Sequence, residues 1–342
     1  MSAPRNLITD VPGLLVGHAE ESRLGSGTTA IVFEKPAVGS IDVRGGGPGT
    51  RETALLDPAQ TVEGIDAIAL SGGSAFGLDA ASGVQAWLRE QGRGYAVRSA
   101  RVPIVPGAIL FDLLSGGDKD WGRYPPYREL GYEAARSAAH DFALGSAGAG
   151  FGATTVNFKG GIGSASEMCN GFVVGALAAV NAAGSAVVAD GPWFWAAPFE
   201  RGNEYGGLGS PPRSPDGALA ARTKGSPRTS TTLVVVATDA ILSKAQAKRL
   251  AVMAQTGLAR ALHPVHTPLD GDVVFTASTG RKPLSDTLLG LTALGAAAAA
   301  CVARAIARGV YEAKALPFDG ALPAWRDRFP QSEPAHENRS AR

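Results

Sequence analysis

Between residues 28 and 34 the chain reads TTAIVFE, an apolar run rich in β-branched side chains. The same texture recurs in DAIALS (66–71), GFVVGALAAV (171–180), SAVVAD (185–190), TTLVVVAT (231–238) and DVVFTAS (272–278). Gly, Asp or Asn bounds these runs, and each predicts a strand. Helical periodicity predicts helices over 75–91, 128–140, 243–262 and 286–313. The third has Ser243 as its N-cap, ahead of a stripe of Ala247, Leu250, Ala254, Leu258 and Ala261. Ala- and Gly-rich helices with few aromatic residues pack close to a sheet, so the pattern predicts a layered α/β architecture. The longest apolar run, LLGLTALGAAAAACVARAIA, reads as a buried helix rather than a membrane span. No internal repeat is visible.

Two stretches lack any period. The tail, 331–342, is polar and charged and reads as flexible. Residues 196–229 mix Pro, Gly, Ser and Arg, and so long a structureless stretch inside a compact domain is either functional or disordered. This second stretch runs into four consecutive hydroxyl residues, Thr229, Ser230, Thr231 and Thr232.

Composition narrows the choices. With 45% hydrophobic and 18% charged residues, the 342-residue chain is that of a soluble globular protein. A net charge of +1 gives no electrostatic case for nucleic acid or acidic lipid as a partner. Cys169 and Cys301 are too few for a disulfide framework or a CxxC metal site. The sequence MSAPRNLITDVPG carries no apolar signal region, so a cytoplasmic protein is expected. The 45 glycines cluster in RGGGPGT, SGGSAFG and SAGAGFGA, where tight turns and close approach to a ligand are both possible readings.

Familiar catalytic signatures are missing. There is no G-x-S-x-G, no phosphate-binding loop and no dinucleotide fingerprint, so neither cofactor nor metal is expected. His263 and His266, in HPVHTPLDGD, read as structural. An activated hydroxyl needs none of these if the chain is cut just before a Ser or Thr. The freed α-amine then becomes a base beside the side-chain oxygen, titrating at about 7.7–8.0. TKGSPRTS followed by TTLVVVATDA offers a mobile upstream piece and a rigid strand start. A strand that merely begins with Thr is the plainer alternative.

The chain resembles the self-processing amidohydrolases that include D-aminopeptidases, β-peptidyl aminopeptidases and nylon-oligomer (6-aminohexanoate-oligomer) endohydrolases. The resemblance rests on ITDVPGLLVGHAE, IDVRGGGPGTRET, DAIALSGGSAFGLDAASGV, VPIVPGAILFDL, FKGGIGSAS, TTLVVVATDA and HTPLDGDVVFTAST, in order from residue 8 to about 279. It implies a single-domain, four-layer α/β/β/α sandwich of the N-terminal-nucleophile-hydrolase type, made as a precursor. It further implies a cut between Ser230 and Thr231 into α (1–230) and β (231–342) subunits, assembled into tetramers of αβ units. Thr231 is then the nucleophile, and a small amide or peptide is the substrate.

By the same resemblance Asn181, in AAVNAAG, donates to the oxyanion, and Asp270 and Asp272, in LDGDVVF, orient the nucleophile. Read without it, D-G-D at a strand start is a turn; in the orienting role it is expected at a loop mouth, outside the core. Members of the nylon branch carry a catalytic-site lysine near here; counting from GAGFGATT lands on Asn157, so Lys159, in NFKGGIGSAS, either takes that place or is an ordinary lysine of the KGG turn. Gly72 and Gly73 are expected to wall the substrate pocket. Two positions depart from the family: Ser230 stands where precursors often have Asn or Gly, and Phe111 replaces a tyrosine. Two other functions stay open, an acyltransferase of the ornithine acetyltransferase type and an unprocessed, non-catalytic binding protein.

Overall fold

A computed structural model of the chain describes residues 4–224 and 230–330. The chain opens with a hairpin of β1 (Leu14–Glu21) and β2 (Ser26–Val43), followed by β3 (Gly49–Arg51) and β4 (Gly64–Ser71). A 3-10 turn leads into α1 (Ala80–Glu90), then a separate small hairpin of β5 (Tyr95–Val97) and β6 (Ala100–Val102). Next come β7 (Gly107–Ile109), α2 (Tyr127–Arg136), β8 (Ile162–Cys169) and β9 (Phe172–Asn181). After the irregular stretch follow β10 (Thr231–Ala240), α3 (Lys244–Ala259), β11 (Val273–Lys282) and α4 (Thr287–Tyr311).

The main sheet runs β3-β7-β4-β2-β11-β10-β9-β8, with β1 alongside β2. It is mixed: β10/β11 and β4/β7 are parallel, and the other pairs are antiparallel. The long β2 belongs to two wings. Thr28–Val32 pair with β4, Val38–Val43 pair with β11, and the register breaks between Val32 and Ala37, around Pro36.

Three cores show how the wings stack. Leu233, Val235 and Phe275 of one wing share a core with Ile31, Phe33, Ile68 and Leu70 of the other. The opposite side chains, Val234, Val236 and Val274, pack under α3 and α4. On the far side, Ala30, Val32, Ala67 and Ala69 pack under α1 and α2. The layers are therefore α/β/β/α. β10 is buried at every position, which explains its unbroken apolar run.

Local signals agree with the helices. Ser243 caps α3 in a reciprocal box with Gln246, and Asp286 caps α4 through the amides of Leu288 and Leu289. All five positions of the α3 stripe are buried. By length and composition α4 is long and apolar enough to cross a membrane, but its buried side packs on β8, β9 and α3. SAVVAD (185–190), expected as a strand, forms only isolated bridges, Ser185 with His263 and Val187 with Phe194. Its apolar residues serve the core without a ladder.

Candidate active site

Thr231 is the first residue of β10 and only 4% exposed. Its Oγ1 donates to the carbonyl oxygen of Ser230 at 2.5 Å. The backbone N–H of Gly271 donates to the same oxygen at 2.9 Å. The carbonyl of the Ser230–Thr231 bond thus faces a hydroxyl and a fixed amide donor together. A parallel bridge between Ser230 and Asp270 carries the β10/β11 alignment past the strand end and sets this geometry.

Asp270 and Asp272 flank Gly271 and are each 1% exposed, so the D-G-D motif is core and not an exposed loop mouth. Asp272 Oδ1 accepts from Thr232 N at 2.8 Å, and Oδ2 accepts from His266 N at 3.1 Å and Nδ1 at 3.0 Å. Asp270 Oδ1 accepts from Ala183 N, while Oδ2 accepts from Thr267 N and Oγ1. Burial, with the adjacent Asp272 charge, pushes the Asp270 carboxyl above its ordinary value. Both carboxylates brace the backbone around Thr231.

The glycine run at 45–47 forms the other side of this brace. Gly45 N donates to the Asp272 carbonyl and Gly47 N to that of Asp270. A Cβ on Gly45 would lie 2.2 Å from Asp272 N, so only glycine lets the two backbones meet.

Asn181, the last residue of β9, pairs directly with Thr231. Its Oδ1 accepts from Thr154 N and Lys224 Nζ, each at 3.0 Å, and its Nδ2 donates to Phe111 O at 3.0 Å. Phe111, Thr154 and Lys224 line a cavity of about 250 Å³, together with Lys159, Leu114 and Asp319. Asn181 thus links the cavity to Thr231.

Lys159 Nζ lies 2.8–2.9 Å from the carbonyl oxygens of Gly150, Ala153 and Gly160. Burial brings its ammonium down to about 7, opposed by the charge of Asp112. Asn157 points elsewhere, to Asp190, Thr155 and Ser185. Gly72 and Gly73 are not among the cavity-lining residues. Their backbones press instead on Asp112, which follows Phe111 in the chain, and on Tyr127, and Gly73 N donates to Asp112 Oδ1 at 2.7 Å.

The structure brings three further groups to this place that sequence reasoning did not assign to it. Lys224 sits in the irregular stretch and carries no motif. His266, read as structural, grips Asp272; its place six residues before that carboxylate was the available signal. The Gly271 amide has no side chain to announce it. Among the described residues, no group of three or more His, Cys, Asp or Glu is arranged to hold a metal.

The α/β/β/α layering around a mixed sheet defines the class: this is the fold of the Ntn hydrolases. Residues 6–321 match the model of Peptidase family S58, and the chain belongs to that family. It is a peptidase of the aminopeptidase and amidohydrolase class. An uncharacterized aminopeptidase of Mycobacterium tuberculosis is 45% identical, with 95% of this chain and 98% of the relative covered. A 6-aminohexanoate-oligomer endohydrolase of Kocuria sp. is 28% identical over 81% of this chain and 76% of its own length. The fold matches L-aminopeptidase D-Ala-esterase/amidase of Ochrobactrum anthropi, described as a new variant among the Ntn hydrolase fold. That match has a TM-score of 0.69 and 22% identity, covering 95% of this chain and 92% of that one. The PH0078 protein of Pyrococcus horikoshii also has a TM-score of 0.69, at 25% identity and 96% coverage of both chains.

Proposed function

We propose that the protein cuts itself between Ser230 and Thr231 and then hydrolyses small amides or peptides with Thr231 as its N-terminal nucleophile. The observation that carries this reading is the meeting of Thr231 Oγ1 and Gly271 N–H on one carbonyl oxygen, that of Ser230.

In self-cleavage Thr231 Oγ adds to the Ser230 carbonyl carbon. The oxygen becomes an oxyanion held by Gly271 N–H. The C–N bond then breaks, and the nitrogen of Thr231 takes the proton that the hydroxyl gave up. The resulting ester is hydrolysed by water, which leaves a Ser230 carboxylate, a restored Thr231 hydroxyl and a free α-amine.

Turnover repeats these steps on a substrate carbonyl seated where that of Ser230 was. The α-amine of Thr231 takes the hydroxyl proton, the leaving amine is protonated as its bond breaks, and water releases the acyl group. Asn181 and Gly271 N–H stabilise the oxyanion, Asp270 and Asp272 hold the nucleophile's backbone, and Lys159 and Phe111 line the substrate cavity. Membership in a peptidase family supports hydrolysis over acyl transfer. The aminopeptidase and aminohexanoate-oligomer relatives support a substrate that carries a free amine. The test is the mass of the purified protein, followed by assay on p-nitroanilides and aminohexanoate oligomers. An active protein consisting of one intact chain overturns the mechanism.

A further inference from the structure

Lys224 belongs to the irregular stretch, six residues before Ser230, yet its ammonium lies inside the site. Nζ is 3.0 Å from Asn181 Oδ1 and 3.5 Å from the Asn181 carbonyl oxygen. It also lines the cavity, so it stands between that space and the Asn181–Thr231 pair. The segment around it is held by peripheral contacts. Arg222 pairs with Asp190, both about half exposed, and the Leu219 carbonyl accepts from His263.

We propose that Asn181 Oδ1 and the Asn181 carbonyl form an ammonium seat, filled by Lys224 in the uncut chain and by the α-ammonium of Thr231 after the cut. Lys224 is thus a positioning residue of self-cleavage. This inference rests on the reading that the Ser230–Thr231 bond is cut.

The need for such a residue follows from charge. Before the cut, the nitrogen of Thr231 is an uncharged amide, while Asp270 and Asp272 lie buried side by side. His266 Nδ1 meets Asp272 at 3.0 Å, and a cation in the neighbourhood of Asp270 offsets the burial of the pair. Lys159 is committed elsewhere, because three backbone carbonyls take its three N–H groups. Among the described residues Lys224 Nζ meets the two oxygens of Asn181, and the charge of Asp270 favours its ammonium. Burial opposes that charge and brings Lys224 down to about 7. Together with Thr154 N–H, Lys224 also fixes the amide of Asn181 with Nδ2 toward Phe111 O.

The cut changes the balance. It creates an ammonium on Thr231, the direct antiparallel partner of Asn181, where paired Cα atoms are about 4.5–5.5 Å apart. Two cations then compete for one seat. Lys224, whose neighbours Arg222 and Leu219 are held by Asp190 and His263 at the periphery, yields the seat to Thr231.

The test follows appearance of the two fragments in freshly refolded protein. Lys224→Met keeps the apolar stem and removes the charge, and self-cleavage is expected to slow at least tenfold. Lys224→Ala is expected to slow similarly and to recover with added n-propylammonium, but not with 1-propanol of the same size. Circular dichroism confirms folding of both variants. Wild-type cleavage rates in both folded variants overturn the proposal, as does equal recovery with the alcohol, which indicates packing alone. Lack of recovery with the amine, in a folded Lys224→Ala chain, also overturns it. A wild-type chain that never cuts at Ser230–Thr231 overturns the proposed function instead, so the two failures are distinguishable.

Discussion

The amide of Gly271 donates to the carbonyl oxygen of Ser230 at 2.9 Å, across the parallel step that joins β10 to β11. A Cβ at position 271 would lie 2.6 Å from Thr231 Oγ1 and 2.8 Å from the Gly47 carbonyl. Neither neighbour is a flexible side-chain tip, so the added methyl must shift the amide or the nucleophile. Gly271→Ala is therefore expected to slow self-cleavage by about 10²–10³, the effect of losing one oxyanion donor. A gel time course of the folded variant measures it. Cleavage at the wild-type rate removes the Gly271 amide from the mechanism.

Asn181→Ala is expected to lower kcat of fully processed protein by a similar factor of roughly 10²–10³. The same change frees Thr154 N–H and Lys224 from their shared acceptor, so self-cleavage slows as well. Processed variant with an unaltered kcat excludes Asn181 as an oxyanion donor.

For Asp272→Ala, stability falls along with turnover. The substitution strips the acceptor from Thr232 N–H and from both His266 donors, and an unsatisfied buried donor costs about 1–3 kcal/mol. A loss of about 3 kcal/mol is expected in urea denaturation, with a smaller loss for Asp272→Asn, which keeps one acceptor oxygen. A wild-type denaturation midpoint combined with slow turnover restores the loop-mouth reading of D-G-D.

That reading failed for a physical reason. D-G-D looks like a turn because Asp and Gly are turn-forming residues and Pro268 stands just before it, and the glycines of 45–47 that bury it lie more than 200 residues away. β10 was legible because burial on both faces forces an apolar, β-branched run. SAVVAD has the same composition but no ladder partner, and composition cannot distinguish the two. β8, IGSASEMC, escaped notice because its small polar residues show no alternation. Yet the two-residue turn that joins it to β9, Asn170–Gly171, has positive φ at both residues, the strongest short-range hairpin signal in this region. Thr231, Asn181 and the two aspartates became visible through family resemblance, each motif marking a strand end. Lys224 left no trace, because its role depends on where an irregular segment happens to fold back.

Acid sensitivity is expected to come in part from His18. Nε2 donates to the Ala143 carbonyl, so Nδ1 accepts from Thr29 Oγ1, which in turn accepts from Ala149 N. Burial brings the imidazole from 6.5 down to about 4. Between these values the unfolded chain binds the extra proton, so stability falls as pH drops from 6.5 through about 4. His18→Gln is expected to flatten that part of a Tm-against-pH curve. A curve as steep as that of the wild type assigns the loss to the carboxylates.

Thr231 gives the sharpest test. A cut after Ser230 divides the 34.9 kDa chain into pieces of about 23 and 11 kDa, by length. The smaller piece begins with β10, which lies between β9 of the larger piece and β11 of its own, buried on both faces. The two fragments are therefore expected to co-elute in native chromatography and to separate only in denaturant, with the smaller reading TTLVV from its N-terminus. Thr231→Ala lacks the hydroxyl that both reactions need, so it stays intact and inactive. Thr231→Ser keeps the hydroxyl without the methyl that fixes its rotamer, so it still cuts, at an altered rate. A fragment beginning at Ser230 moves the nucleophile one residue upstream. Thr231→Ala that still cuts and turns over removes this hydroxyl from the chemistry altogether.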